Sequence, residues 1–556
     1  MEDRQILHLL TKVLRATLLI LPIAILPFNA IDPINTPQLA VLVVASFISL
    51  GILIASRKVI QWHGYRFLLG LLAAFNLNLL SVFIFSKANL GLQFYGTFGR
   101  NTGLLTYFSL SVILFTAALV CNQDSIEKFT RAIFFVGLIA TSYGLLQYLD
   151  LDPVPWDNIF SPVIGFLGNP NFQSALLGIC GVIVFANLIK ARANQRNKIL
   201  LSFFFLVLLF TIVQTNSRQG LLNLLAGVTV VVWIYVKEIG RKKLTGMFTL
   251  IMFFLGTLVA LGVFNFGPFG DYLYKRSVLA RIFYWEAGLK MTQENPIWGV
   301  GLDNYGDWYR RARTPQAATE FGPDSVSDVA HNVLLDFSSN GGIPLLLLYL
   351  SLVTFTIASI IRVIKRQKSF NVTHSGLVGA WFSYQVQSLI SINQLSLVFI
   401  GWTLAGLLIG YDISTRENQT GKITKAGPRV SSSSLPAKFV LIIFVSGIMG
   451  LLVGAQPMIS SVNFRSALES GEVDRIKASS NLRPLEPLRI YQVASILKDN
   501  KYEKEAIEVI EVGLKHFPDS YILWQVLSGF SEIPEPQRKA IDEKMQELDP
   551  NNKTIK

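Results

Sequence analysis

The sequence predicts an all-α, polytopic membrane helical bundle, about 12–13 transmembrane helices, followed by a C-terminal α-helical domain. Three observations carry this expectation. The chain has 556 residues, of which 51% are hydrophobic and only 15% charged, unlike an ordinary soluble enzyme. Apolar runs of about 16 to 25 residues recur from Leu14 to Leu452, and each can span a bilayer core of roughly 30 Å. Beyond residue 455 those runs stop, while Glu, Lys, Asp and Pro rise. The boundaries read as 1–455 for the membrane domain and 456–556 for a soluble tail.

Thirteen spans are expected, centred near residues 21, 46, 77, 112, 140, 181, 206, 228, 254, 352, 384, 403 and 446. Arg4, Lys12 and Arg15 before the first apolar run imitate a secretory signal. However, Pro-Phe-Asn-Ala offers no small-x-small cleavage site and more spans follow, so the segment reads as an uncleaved first helix. The two cysteines, Cys121 and Cys180, fall at the end of one span and inside another, which implies no disulfide framework.

The net charge of +13 sits largely in short loops, as orientation signals do, and not in a nucleic-acid-binding face. Arg57, Lys58 and Arg66 follow span two; Lys128 and Arg131 follow span four; Lys190, Arg192, Arg196 and Lys198 follow span six. Lys237 and Arg241 to Lys243 follow span eight, Arg362, Lys365, Arg366 and Lys368 follow span ten, and more lie between Arg416 and Lys438. The loops 29–37 and 149–171 contain neither Lys nor Arg. By the positive-inside rule the N-terminus is cytoplasmic. The long 265–341 loop, Arg100, the Asn216-Ser217-Arg218 turn and the tail then all face outward.

These outer elements hold the candidate chemistry. Arg218 sits in a short connection between apolar runs, where a forked, permanently charged guanidinium either binds phosphate oxygens or snorkels to the interface. Arg281 and Trp285 lie four residues apart in a segment, 278–291, patterned as a helix along the interface. Trp285 suits an interfacial anchor, and Arg281 has Glu286 or a lipid phosphate as alternative partners. Arg310, Arg311 and Arg313 read as lipid-headgroup contacts. His331, one of five histidines, opens span ten, with Asp328 placed to orient it if that stretch is helical. Its alternative is a helix-end histidine bonded to backbone. Gly341-Gly342 with Pro344 marks a kink or packing point. Asp150 and Asp152 resemble a metal-binding pair but lack a third ligand, so no metal is assigned.

Taken together these residues resemble the bacterial O-antigen ligase and polymerase superfamily of membrane glycan transferases. The matching pieces are Gly99-Arg100-Asn101-Thr102-Gly103, Gly168-Asn169-Pro170-Asn171, Asn216-Ser217-Arg218-Gln219-Gly220, Arg281 with Trp285, and Glu294-Asn295-Pro296-Ile297-Trp298-Gly299-Val300-Gly301. His331-Asn332, followed by Gly342, completes the set. They cover about residues 95 to 410, and their order and spacing carry the likeness. Leu345 departs from it, standing where some ligases have Gly, Thr or Tyr.

The resemblance implies a GT-C-like core of twelve helices in the bacterial inner (plasma) membrane, with a periplasmic active site. It implies transfer of a glycan from a polyprenyl (undecaprenyl) diphosphate to an acceptor hydroxyl, without metal or cofactor and with inversion. The donor, membrane lipids and a glycan, lipid or protein acceptor would be the partners. Arg218 and Arg281 would bind the diphosphate, and His331 would take or position the acceptor proton. Arg100, Asn216, Ser217, Trp285 and Asn332 would bind substrate.

The tail resembles a degenerate tetratricopeptide pair. Pro484 and Pro518 are 34 residues apart, with Ala494, Ala506, Trp524 and Leu527 in phase. A protein partner and a purely structural cap are both open. Two further functions compete: a transporter of a small solute such as bicarbonate, using Gln385, Gln387 and Asn393, or a membrane-tethered scaffold presenting the repeats.

Overall fold

A computed structural model describes residues 3–57, 62–156, 161–189, 194–268, 270–367, 369–419 and 437–553. All regular structure among them is helical. Among the described residues, eleven helices are long and apolar enough to cross a membrane, and the apolar helix Leu104–Val120 is slightly shorter. With Val372–Ile390 these helices coincide with the apolar centres read from the sequence. Lys58, Lys190, Arg192, Lys368 and most of the Arg416–Lys438 connection lie outside the described residues.

The first helix differs from expectation. It begins at Asp3 and not near Leu14. Ile6, Leu10, Leu14 and Leu18 recur every four residues as a single buried stripe. Burial of that face outweighs the charge of Lys12 and Arg15, which leave the stripe intact.

The Leu395–Gln419 helix is the axis of the bundle, and the apolar window of its membrane segment is 100% buried. It packs on Leu104–Val120, where a Cβ at Gly410 would overlap the Ala118 carbonyl oxygen. Close backbone contact of this kind substitutes for the hydrophobic drive that a bilayer cannot supply between helices. Lys242–Val263 is the opposite case, with only 6% of its window buried.

Membrane helices consecutive in the sequence alternate in direction, which gathers one set of connections at one end. In Arg218–Glu238, Gly227 meets Ser383 while Val231 meets Gly379, so residue 218 lies near the end of Val372–Ile390. In Ala437–Gly454, Gly447 meets Ile48 and Gly454 meets Val43, so the tail leaves beside the start of Asn35–Ala55. Hydrogen bonds then join the loops at this end. Asn35 Nδ2 donates to Gly99 O (3.0 Å), Ser217 Oγ to Asn171 Oδ1 (2.7 Å) and Asn332 Nδ2 to Leu389 O (3.1 Å). At the opposite end, Asp412 is buried between Arg362 and Arg366, each 2.7 Å away.

Val333–Arg366 is interrupted at Gly342, whose φ of 76° and ψ of 178° are not helical. The Glu294–Gly301 segment docks on this break. Val300 N donates to Ser339 O (2.8 Å), Gly301 N to Asn340 O (3.1 Å) and Ile343 N to Pro296 O (2.8 Å). The backbone groups released by the interruption are thereby satisfied, as they must be near a membrane.

The tail is a set of short helices, including Pro487–Asp499, Glu503–His516, Tyr521–Ser528 and Glu535–Leu548. Its core around Val493, Ala494, Ala506, Ile510 and Leu523 also takes in Leu92, from the connection before Leu104–Val120. Asp32 N donates to Ser461 Oγ (2.8 Å), a further tie between the two parts.

Candidate active site

Arg281 and Tyr284 lie on the Arg276–Glu294 helix, on the same side as the buried Gly288 and Met291 further along it. The spacing of three places Arg281 and Tyr284 on one side. Tyr305 fixes this helix by donating its hydroxyl to Tyr284 O at 2.6 Å. The Tyr284 ring stacks on His331, with centroids 5.6 Å apart and planes 28° from parallel.

His331 occupies a left-handed turn, φ 53°, just before the Val333–Arg366 helix. The turn is held by Ser327 Oγ donating to Val329 O (2.7 Å) and by Ala330 N donating to Asp336 Oδ1 (2.7 Å). Asn332 is the N-cap, its Oδ1 accepting from Leu334 N and Leu335 N at 3.0 and 3.3 Å. His331 Nδ1 is buried without a hydrogen-bond partner among the described residues.

The local charges set its protonation. Burial, then Arg281 and Arg100, push the His331 pKa down to about 4 against the opposing pull of Asp328. The imidazole is therefore neutral near pH 7 and able to accept a proton. Arg281 has neither a carboxylate nor a hydrogen-bond partner among the described residues, and burial lowers its pKa. A partly buried guanidinium without a counter-ion is costly to keep, which makes it ready to take an anion.

Asp328 does not orient His331 by a helical hydrogen bond, because residues 328–331 form a turn and its carboxylate is taken by Arg100. Arg100 Nε and Nη2 reach Asp328 Oδ2 and Oδ1 at 2.7 and 2.9 Å. Burial alone would raise the Asp328 pKa, but Arg100 outweighs it and holds the carboxyl below its usual range. Beneath the pair lies a cavity of about 30 Å³ bordered by Arg100, Tyr107, Asp303, Asp336, Asn340 and Asn393. That volume is on the scale of a single water molecule.

Residues 203–350 match the O-antigen ligase family. Arg218, Arg281, Trp285 and His331 fall inside the matched stretch, whereas Arg100 and the tail fall outside it. No curated protein matches the chain.

The expected site residues divide into two groups. Arg281 and Arg100 both act electrostatically on His331, whereas Arg218 is not among the charges acting on it. Arg218 is exposed at the first position of its helix, beside Asn216, which is exposed with φ 56°. Ser217 caps that helix, accepting from Gln219 N at 3.3 Å. Trp285 packs on Phe264 at the end of Lys242–Val263 (centroids 6.3 Å apart), and its buried Nε1 has no partner among the described residues.

Two expectations are corrected. Arg310, Arg311 and Arg313 are not free for lipid headgroups. Arg310 and Arg313 share Asp549 at 3.0 and 2.6 Å, while Arg311 pairs with Asp519 at 3.0 Å. Nor does Arg281 pair with Glu286 among the described residues. Asp152 accepts from Tyr143 Oη (3.0 Å) and Gln147 Nε2 (2.8 Å), and no cluster of three metal-ligating acidic, His or Cys side chains occurs among the described residues.

Sequence reasoning missed Tyr284, Asp303 and Asp336. Tyr284 was detectable as the residue one helical turn after Arg281. Asp336 closes the Ala330–Asp336 motif, four residues after Asn332. Asp303, whose Oδ2 accepts from Thr97 N at 2.7 Å, gave no local signal, since its partner is far along the chain.

Proposed function

We propose that the protein transfers a glycan from a polyprenyl diphosphate carrier to an acceptor hydroxyl at the extracytoplasmic face of the bacterial inner membrane. The observation that carries this reading is Arg281, a partly buried cation without a counter-ion, beside the neutral His331. Loss of a diphosphate leaving group develops negative charge, so preorganised cations are the main requirement. The acceptor oxygen attacks the anomeric carbon from the side opposite the diphosphate. The carbon–oxygen bond to phosphate breaks with its electron pair, and the hydroxyl proton passes to His331 or to solvent that His331 orients. Inversion at the anomeric carbon follows from this single displacement.

Arg281 holds the leaving diphosphate, with the exposed Arg218 a second cation for it at the same end of the bundle. The side-chain cations take the charge that a metal ion would otherwise balance. Asn216, Ser217, Trp285 and Asn332 border the donor, and the membrane-facing helices receive the polyprenyl chain. The basic connections at the Asp412 end support an inward position for that end, a cytoplasmic N-terminus and an external tail of tetratricopeptide-like helix pairs.

A deletion strain tests the reading. Loss of long glycan with accumulation of lipid-linked donor is expected, restored by the wild-type gene and not by Arg281→Ala or His331→Ala. Full restoration by both variants, each present in the membrane at wild-type level, would end it.

A further inference from the structure

We propose that the C-terminal helices are the clamp that holds the Arg100–Asp328 bridge in register, with Asp549 as its positioning residue. The inference rests on the glycan-transfer reading for its catalytic consequence, but not for its geometry.

The two partners of the bridge lie on separate loops, and the tail grips both. On the Asp328 side, the Asp549 carboxylate is fully buried and accepts from Arg313 Nη2 (2.6 Å), Arg310 Nη1 (3.0 Å) and Arg313 Nε (3.2 Å). The same two guanidiniums donate onward to the backbone that leads to Asp328. Arg310 Nη1 and Arg313 Nη1 reach Pro323 O at 2.7 and 2.9 Å, and Arg313 Nη1 reaches Ser325 O at 3.4 Å. Asn551 Nδ2 adds a bond to Arg313 O at 2.7 Å, and the Arg310 guanidinium lies 4.0 Å above the Tyr521 ring.

On the Arg100 side, the buried Glu486 carboxylate lies beside the Phe98 backbone N–H, two residues before Arg100. Leu92 is part of the tail's own core, and Asn89 Nδ2 donates to His516 O at 3.2 Å. Both loops are therefore referenced to one rigid body.

A buried ion pair is a poor means of adding stability, because desolvation consumes most of its attraction. What it supplies is geometry. Each Arg fork has a fixed shape, and here each serves one carboxylate and one stretch of carbonyls simultaneously. An apolar contact of equal area would hold the tail on the membrane domain without fixing where residues 323–328 run. Tetratricopeptide-like units alone would need no such connection.

The test uses the full-length protein in lipid nanodiscs, comparing wild type, Asp549→Asn, Asp549→Glu and Glu486→Leu with Glu486→Gln. Hydrogen exchange of the 323–331 backbone should quicken roughly tenfold or more in Asp549→Asn, while the membrane helices stay protected. Glycan transfer should fall by about tenfold in kcat with donor KM nearly unchanged, and Asp549→Glu should recover part of both. Glu486→Leu should loosen residues 96–103, and Glu486→Gln, which keeps a polar oxygen beside the Phe98 N–H, should not. Wild-type exchange at 323–331 in Asp549→Asn would overturn the clamp whatever the protein's activity. If Asp549→Asn fails to fold, unchanged exchange at 96–103 in Glu486→Leu would do the same. Quickened exchange alongside a fully active Arg281→Ala would leave the clamp standing and remove the transfer reading instead.

Discussion

Arg100 and Asp328, 228 residues apart in the chain, form a two-pronged ion pair at 2.7 and 2.9 Å. Their side chains are 25% and 42% exposed, so solvent screens the attraction and the pair contributes about 1 kcal/mol to stability. It joins the loop that bears Arg100 to the segment that leads into His331.

Asp328→Asn should therefore reduce thermal stability in detergent by only a few degrees, while glycan transfer in membranes falls about tenfold. The pKa of Asp328 is held below its ordinary value of 3.8. Its contribution is thus present above pH 3.8 and lost as pH falls through the lower folded value. An unfolding profile in which the variant and wild type differ equally at pH 3 and pH 7 would contradict this.

His331 should titrate near pH 4 and not near 6.5. The depressed value means that folding is opposed as pH drops from 6.5 toward 4, where the unfolded imidazole binds a proton and the folded one does not. Removing Arg281 takes away one of the charges responsible, so Arg281→Ala should raise the His331 pKa. Nuclear magnetic resonance of ring-labelled histidine measures both values. An unshifted His331 resonance in Arg281→Ala would show that the two groups do not share a site.

Gly342→Ala should be among the most damaging single changes. Its φ of 76° disfavours a side chain, and a Cβ there would overlap the Ile297 carbonyl. The expected cost is about 2 kcal/mol or more, from strain at a left-handed position and displacement of the Glu294–Gly301 turn. Thermal unfolding in detergent checks it, and a melting temperature equal to wild type would count against the docked turn.

Asp412, 1% exposed between Arg362 and Arg366, is a structural counterpart at the other end. Asp412→Ala leaves two guanidiniums without their carboxylate and should cost about 3 kcal/mol. Transfer per folded molecule should be unaffected, as read by activity normalised to monodisperse protein. A specific activity reduced tenfold would connect that end to the reaction.

The bundle was legible in the sequence because its signal is local: an apolar run long enough to span a bilayer has few other uses. Arg281, Trp285 and His331 were legible because charged or amphipathic groups beside such runs stand out. The partners of the loop arginines were not. Arg310 and Arg313 meet Asp549 across more than two hundred residues, and nothing near either end of that pairing marks it. For the same reason the sequence left open whether residues 328–331 are helix or turn, since Asp336 and Asn332, not Asp328, decide where the helix begins.

The central claim is that Arg281 and His331 face one bound lipid diphosphate. A structure of the protein in nanodiscs with a polyprenyl diphosphate glycan tests it most directly. The account predicts the diphosphate in ionic contact with the Arg281 guanidinium and the anomeric carbon on the His331 side. A diphosphate seated at the Asp412 end of the bundle, or away from Arg281 altogether, would contradict it.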